Sequence, residues 1–391
     1  MSNSIKKRET FYLAGYDPRG TRHYYNLYKK EAPLSSKING MTFTLSPRKK
    51  ETAHIKSCTI EAQSIQNEQR LHTRTNYYFL EWDDIIRTTW NPSIFIFIMQ
   101  FIHYLKAYMV STFIFKIYRL YLRQLKPLLY PIFYLFVTFL IALMIVQGIN
   151  ALLSLYLSTF VSLGIASVLA VLFVRFSILL GRKLAVFWIL RIYIFSESYA
   201  HTERKDIEKR LKHFASYIVK RVNRMETEEI DEMLIVSHSV GTILMIPLLA
   251  EMLKSLKQED LDKISVVSLG GCVPLVSFLD DVETYKKDME TLTQYEFSWL
   301  DISSPSDEIC CPLLDYYDYS GIDKKSDRGP HFISPRFHTL YERSHYEKLQ
   351  KDLSLMHFLY LMAPQKEGAY DYFKLTAGHE TYVRNLLKET R

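Results

Sequence analysis

The spacing of hydrophobic and polar residues changes several times along the chain, and each spacing predicts a different element. Short apolar runs that end in turn residues predict buried strands near residues 11–13, 76–82, 233–236, 264–269 and 295–302. Strict alternation predicts two further strands at 41–45 and 58–62. A helix is predicted over 203–224, where one apolar stripe is formed by Ile207, Leu211, Phe214, Ile218 and Val222.

In the C-terminal half, the predicted strands alternate with helical segments. The strand at 233–236 is followed by a helix over 242–253, and helical segments also separate the strands at 264–269 and 295–302. Alternating βα units predict an α/β fold with a doubly wound, mostly parallel sheet. In such a sheet the carboxyl ends of the strands face a common crevice, where ligands bind.

A long uncharged stretch interrupts this pattern. Between Lys126 and Arg175, 48 consecutive residues contain no Asp, Glu, Lys, Arg or His. A helix needs about 20 apolar residues to cross a membrane, so we predict a transmembrane hairpin with spans near 127–146 and 153–174. The turn is expected at 147–150, and the alternative is a buried helical hairpin in a soluble core.

Basic residues flank the predicted hairpin on both sides, and the formal net charge of the chain is +7. They are Lys116, Arg119, Arg123 and Lys126 before it, and Arg175, Arg182, Lys183 and Arg191 after it. Under the positive-inside rule both ends face the cytoplasm, which predicts an integral protein of the inner membrane. Because these charges lie beside apolar spans and form no separate patch, they do not indicate nucleic-acid binding.

We therefore divide the chain into N-terminal strands over 1–90, a membrane insertion over 91–200, and a C-terminal α/β part over 201–391. Within the insertion, the apolar segment 94–105 is short for a span. Together with the basic residues that follow it, it predicts helices in the membrane interface, and a cap packed on the α/β domain is the alternative. Membrane lipids are the expected partners, and the oligomeric state stays open.

Candidate chemistry is concentrated at Ser239. An apolar strand, a sharp turn and a helix surround it, and Ser237 and Gly241 are small enough for the strand and helix to approach closely. This is the setting of a nucleophile elbow. The Val240 N–H is expected to help hold an oxyanion. The loop at Gly15 and Tyr16, which follows the early strand, is a natural source of the second N–H group.

A serine nucleophile needs a histidine base and an orienting carboxylate. Asp307 follows the strand at 295–302 and is our preferred acid, with Asp301 and Glu308 as rivals. His357 is the preferred base because it begins an apolar, helix-like segment. His338 is the second choice. His238, beside Ser239, is expected to fill space.

Cysteines and cofactors add little to this picture. Cys58, Cys272, Cys310 and Cys311 show no metal-ligand spacing and are expected to be free thiols in a reducing compartment. We predict no metal and no cofactor. No cleavable signal peptide is visible in the polar, basic residues 1–10.

The segment Ser237-His-Ser-Val-Gly241 resembles the G-H-S-x-G elbow of lipases and esterases in the α/β-hydrolase superfamily, with Ser237 at the first glycine. The loop from Gly15 to Gly20 looks like the oxyanion loop of these enzymes, and the segments at Asp307 and His357 look like their acid and histidine segments. The resemblance covers the start of the chain and about residues 205–365. It implies an α/β-hydrolase-type sheet into which the hairpin is inserted.

The resulting hypothesis is a membrane-anchored serine hydrolase. It would cleave carboxylic esters of lipid or acylated substrates through an acyl-enzyme, using Ser239, His357 and Asp307. The alternative is a catalytically inactive membrane adaptor that keeps this scaffold and binds a lipid or a protein. A transporter is disfavoured because two spans without an intramembrane charge offer no ion pathway.

Overall fold

The computed structural model describes residues 4–66, 68–90, 92–120, 125–324 and 329–389. Within these ranges nine strands form a single sheet. They are β1 Lys7–Leu13, β2 Thr42–Leu45, β3 Lys49–Thr52, β4 Ile55–Gln66, β5 Gln69–Leu80, β6 Glu232–His238, β7 Ile264–Leu269, β8 Ser298–Ile302 and β9 His331–Ile333. Their spatial order is β2-β4-β5-β1-β6-β7-β8-β9, and β3 pairs with β4.

The strand directions confirm a mixed α/β fold with a mostly parallel sheet. The strands from β5 through β1, β6, β7 and β8 to β9 run parallel, whereas β2, β3 and β4 form antiparallel pairs at one side. Leu13, at the end of β1, is in register with Leu80 of β5 and Ser237 of β6. The carboxyl ends of the central strands therefore lie side by side, as the crevice of such a sheet requires.

The described ranges contain seventeen α-helices. They are α1 Gly20–Asn39, α2 Asp83–Trp90, α3 Ile94–Leu105, α4 Phe113–Leu120, α5 Leu125–Leu153, α6 Thr159–Lys183, α7 Val186–His201, α8 Lys205–Val222, α9 Gly241–Leu253, α10 Pro274–Ser277, α11 Glu283–Leu292, α12 Tyr316–Tyr319, α13 Phe337–Leu340, α14 Arg343–Leu349, α15 Leu353–Phe358, α16 Tyr372–Ala377 and α17 Tyr382–Glu389. A π-helical turn spans Lys106–Val110, and 3₁₀ turns span Gln258–Lys263 and Leu359–Leu361.

Burial explains the apolar runs in the central strands. Every residue of β6 and β7 is buried, as are six of the seven residues of β1. A strand covered on both faces needs a continuous apolar run and cannot alternate with polar residues. Helix α8 has only one buried face, and the five residues of its predicted apolar stripe are all buried.

The chain divides into two compact units, Met1–Phe113 with Ser196–Arg391, and Ile114–Phe195. The first unit contains the whole sheet. It also contains α3 and the π-helical turn, which lie inside the range 91–200 that the sequence assigns to the insertion. The second unit contains the apolar hairpin of α5 and α6, together with most of α4 and α7.

In the hairpin unit, α5 and α6 each contain an 18-residue stretch with a mean hydropathy of 2.5 and 2.4, respectively, and both helices are long and apolar enough to cross a membrane. Few of their residues are buried, as expected for helices that face lipid. On α6 the buried residues form a stripe of small side chains, which allows close helix packing. These residues are Ser162, Ala166, Ala170, Ser177 and Gly181.

The predicted turn at 147–150 is wrong, because these residues continue α5 and the chain reverses at 154–158. The polar Asn150 explains the error. Its side-chain oxygen accepts a hydrogen bond from the Ser162 hydroxyl of α6 at 2.7 Å. A polar group that is satisfied between two apolar helices does not end either of them. Arg123, counted among the flanking basic residues, lies outside the described residues.

Helix α3 spans the predicted interfacial segment and has two different faces. Tyr104, and Tyr108 in the following π-helical turn, are fully buried, and the Tyr108 hydroxyl donates to the Leu275 carbonyl at 2.9 Å. The opposite face exposes large apolar side chains, including Ile94 and Phe95. The segment is thus packed on the sheet-containing unit, and its contact with a membrane interface stays a prediction.

Candidate active site

Ser239 occupies a strained turn between β6 and α9. Its φ is +58°, in the left-handed region that residues other than glycine seldom adopt. The Ser239 N–H donates to the Leu269 carbonyl at 2.9 Å. The Ser239 carbonyl accepts from the Thr242 hydroxyl at 2.7 Å, and that hydroxyl accepts from the Cys272 N–H at 2.9 Å. These bonds hold the turn to the end of β7 and keep the serine in its strained conformation.

Two glycines bring the end of β1 against this turn. A Cβ atom on Gly241 would lie 2.5 Å from the Leu13 carbonyl oxygen, so only glycine fits at the start of α9. A Cβ atom on Gly15 would lie 2.7 Å from Ser239 Cβ and 3.1 Å from Ser239 Oγ. The loop after β1 therefore runs directly past the serine hydroxyl, as the predicted role of Gly15 requires.

The two predicted backbone donors lie on either side of Ser239. Val240 is the N-cap of α9, where the first N–H groups have no intrahelical acceptor. Within the described ranges, the Val240 N–H donates to no protein acceptor. On the other side, the Tyr16 ring packs against Trp82 and stacks on Trp90, which fixes the loop that carries it. Their role in holding an oxyanion stays a prediction.

Asp307 and His357, fifty residues apart in sequence, form a buried pair. Asp307 Oδ2 lies 2.7 Å from His357 Nδ1, and both side chains are fully buried. Asp307 Oδ1 accepts from the Ile309 N–H at 3.1 Å. Burial alone would raise the pKa of Asp307. The charge and hydrogen bond of His357 outweigh burial and hold that pKa below its usual range. Asp307 is therefore ionised at neutral pH and orients the imidazole.

This pair rests on the same turn that holds Ser239. Gly270 follows Leu269, whose carbonyl binds the Ser239 N–H. A Cβ atom on Gly270 would lie 3.3 Å from both Asp307 Oδ2 and His357 Cε1, and its φ of +54° also favours glycine. The turn at the end of β7 thus touches Ser239 on one side and the Asp307–His357 pair on the other.

His238 supplies a second link that the sequence did not predict. Its ring lies 4.9 Å from the His357 ring, and its Nε2 lies 2.9 Å from the His357 carbonyl oxygen. Burial, reinforced by the nearby His357, lowers the pKa of His238 to about 3. His238 is therefore neutral, and Nε2–H donates to the His357 carbonyl. The expectation that His238 fills space missed this bond, which positions the backbone of His357.

The alternative base, His338, and the alternative acid, Asp301, lie elsewhere in the structure. His338 is exposed on α13 and has no hydrogen bond to Asp307. Asp301 is buried in β8, where it accepts from the Tyr316 hydroxyl at 3.5 Å. Asp307, one loop later, is the carboxylate that contacts a histidine. The structure thus brings together the first-choice acid and base and leaves the second choices apart.

The burial of Asp301 should make the stability of the folded protein depend on pH. Burial raises its pKa to about 7, against about 3.9 in the unfolded chain. The folded state therefore binds a proton at Asp301 more tightly than the unfolded chain does. The protonated carboxyl group contributes its full share of stability below about pH 4, and this contribution is lost as the pH rises to 7. From pH 5 to pH 8, we expect the wild type to lose on the order of 2–4 kcal/mol relative to Asp301→Asn. Urea unfolding of the detergent-solubilised protein measures this, and a constant difference would contradict it.

Two further residues at the site carried no signal in the sequence. The Tyr360 hydroxyl accepts from the Ser304 N–H at 2.8 Å, and its ring packs against Gly270 and His238. The Cys272 thiol lies within hydrogen-bonding reach of Ser239, and burial raises its pKa well above the usual value. Cys272 is therefore a neutral thiol. Only the glycine pair before it, 270–271, marked this loop as a turn.

The four cysteines are free and buried. In the part of the chain that the structure describes, no group of three or more His, Cys, Asp or Glu side chains is arranged to hold a metal ion. Comparison of the chain with protein-family models, with curated proteins and with solved structures gives no significant match. The function must therefore be argued from the geometry.

Proposed function

We propose that this protein is a membrane-anchored serine hydrolase of the α/β-hydrolase type, which cleaves carboxylic esters through an acyl-enzyme. The observation that carries the proposal is the buried Asp307–His357 pair, seated on the turn at Gly270 that also holds Ser239. A strained serine, a histidine and an ionised carboxylate at the carboxyl edge of a mostly parallel sheet form the constellation that activates a serine.

Each residue has a defined part in the reaction. Ser239 Oγ attacks the ester carbonyl carbon, while His357 Nε2 takes the hydroxyl proton. His357 then returns this proton to the departing alkoxide, which leaves as the alcohol, and the acyl group stays on Ser239. Water, activated by the same histidine, attacks the acyl-enzyme and releases the acid. Asp307 holds Nδ1–H of His357 and stabilises the imidazolium that forms.

The negative charge on the carbonyl oxygen needs backbone donors. The N–H of Val240 stands at the positive end of α9, and the loop at Gly15 and Tyr16 offers a second donor beside Ser239 Oγ. Donors that are already fixed in place cost no reorganisation when the charge develops, so they lower the barrier more than water would.

A lipid or acylated substrate is supported by the location of the chain. Helices α5 and α6 are each able to span a bilayer. Helix α3 exposes large apolar side chains although it packs on the sheet-containing unit. An exposed apolar patch of this kind marks a surface for lipid or protein contact. We infer that the α/β unit works next to membrane lipid, on the cytoplasmic side of the inner membrane, as the flanking basic residues predict.

Labelling with a fluorophosphonate, which reacts with activated serines, tests the proposal. We expect the wild type to be labelled and Ser239→Ala to give only background, because the reacting oxygen is removed. Ser237→Ala is the matched control. Ser237 lies two residues before Ser239, in β6, and its hydroxyl contacts Met245 Sδ at 3.0 Å. We therefore expect labelling of this variant to persist. A folded wild-type protein that is not labelled would overturn the proposal and favour the inactive adaptor.

A further inference from the structure

A groove with an excess of positive charge lies at the start of α1. It has a volume of about 390 Å³ and is bounded by the first turn of α1, the turn between β3 and β4, and the start of α2. Five cationic side chains line it, together with His54. They are Arg19, Arg22, Arg48, Lys56 and Arg87. We call this site the basic groove.

The carboxylates of the basic groove are already neutralised. Glu81 accepts from Lys56 Nζ at 2.8 Å, and Asp83 pairs with Arg87. Asp84 accepts two bonds of 2.8 Å from Arg210, which lies outside the groove. Each of these acids is compensated by a cation, so none of them is left to neutralise a further arginine.

Two arginines of the basic groove remain uncompensated. Within the described ranges, neither Arg22 nor Arg48 forms a hydrogen bond or an ion pair, and Arg48 only stacks on the Tyr25 ring, with Cζ 5.4 Å from its centroid. Both are exposed. A guanidinium has a planar fork of donors that matches a phosphate oxygen pair.

The basic groove lies close to the proposed active site. The chain between Gly15, beside Ser239, and Gly20, in the groove, can reach at most about 18 Å. A small buried cleft that is lined by Gly15 shares Gly20 and Glu81 with the groove. Arg19 bonds Asp17 and places its Cζ 5.0 Å from the centroid of the Phe358 ring, next to His357. The basic groove and the loop beside Ser239 are therefore neighbours in the fold.

We propose that the basic groove binds the phosphate of a phosphate-bearing ester, so that the substrate of this enzyme is an anionic acyl ester such as an acylated glycerol phosphate. This inference rests on the proposed hydrolase function. Arg22 and Arg48 select the substrate by holding its phosphate, while Ser239 attacks an acyl carbonyl of the same molecule. They are specificity residues and take no part in bond cleavage.

Kinetic selectivity tests the proposal with two soluble esters, dibutyroylglycerol phosphate and neutral dibutyroylglycerol. In the double variant Arg22→Gln/Arg48→Gln, we expect the ratio of kcat/KM for the phosphorylated ester to that for the neutral ester to fall at least about tenfold. The matched control is Lys29→Gln/Lys37→Gln, which removes the same charge from α1 outside the groove. We expect the control to keep the wild-type ratio. An unchanged ratio in the Arg22/Arg48 variant would overturn the proposal.

A binding experiment distinguishes a failure of the basic-groove proposal from a failure of the proposed hydrolase function. Calorimetry uses the full-length Ser239→Ala protein, which binds the intact ester without cleaving it. We expect dibutyroylglycerol phosphate to bind at least about tenfold more tightly than inorganic phosphate, and to lose this affinity when Arg22 and Arg48 are also replaced. Equal affinity for inorganic phosphate would show a free-phosphate site and contradict the proposal. Arginine-dependent ester binding by a protein that hydrolyses neither ester would support the groove and contradict the hydrolase function alone.

Discussion

We expect His357→Gln to lower kcat for ester hydrolysis by about 10⁴-fold or more, with a much smaller change in KM. Glutamine keeps a polar side chain at this position, but its amide cannot take a proton from Ser239. The loss therefore falls on the chemical step and leaves ground-state binding largely intact. Initial rates with a soluble short-chain ester, measured across substrate concentrations, separate kcat from KM.

His338→Gln is the matched control for this experiment. His338 is the second-choice base from the sequence, and it is exposed on α13. We expect kcat in this variant to stay within about twofold of the wild type, because exposed surface substitutions change little. If His338→Gln reduced kcat as much as His357→Gln, the assignment of the base would be wrong.

Arg8→Ala should destabilise the folded protein by about 3–5 kcal/mol. Arg8 is fully buried and donates to Glu232 at 2.6 Å and to the carbonyls of Gly378 and Glu380 at 2.8 and 2.7 Å. It joins β1, β6 and the C-terminal segment. Its removal leaves the Glu232 carboxylate buried without its cation, which costs far more than the pair itself contributes. Urea unfolding of the detergent-solubilised protein measures the loss.

The neighbouring residue Lys7 provides the control. Lys7 pairs with Glu229 at 3.3 Å, but both side chains are exposed to solvent. Exposed ion pairs contribute about 0–1 kcal/mol, so Lys7→Ala should unfold close to the wild type. Equal stability of Arg8→Ala and Lys7→Ala would contradict the conclusion that the Arg8 hydrogen bonds hold β1 in place. The effect bears on the site because β1 leads directly into the loop at Gly15, beside Ser239.

Most of the sheet could be predicted because its signals are local. The strand Ile264–Leu269 has the predicted limits, and the helix Gly241–Leu253 begins one residue before its predicted start. In both cases a run of apolar residues meets a turn residue within a few positions. The hairpin turn was misplaced because Asn150 is polar in sequence but is satisfied by Ser162 on the next helix. A sequence pattern does not show such a partner.

The candidate site was predicted less completely. Chain order left Asp301, Asp307 and Glu308 as possible acids and four later histidines as possible bases. Local sequence favoured Asp307 and His357, but it did not show that these two side chains meet. Asp301 and Asp307 differ by six positions, and the difference in environment comes from the loop that follows β8. The bond from His238 to the His357 carbonyl joins residues 119 positions apart, and the spacing of residues along the chain does not encode it.

By itself, the sequence determined that this protein has a mostly parallel α/β sheet, a serine in a tight strand-to-helix turn, and an uncharged stretch long enough for two membrane spans. These follow from hydrophobic periodicity and turn chemistry, which act over a few residues. The tertiary structure alone decided that Asp307 meets His357 on the turn at Gly270, and that Arg22 and Arg48 share one groove. Such contacts depend on how segments that are distant in sequence pack together. Packing buries some polar groups, and these groups must then find hydrogen-bond partners.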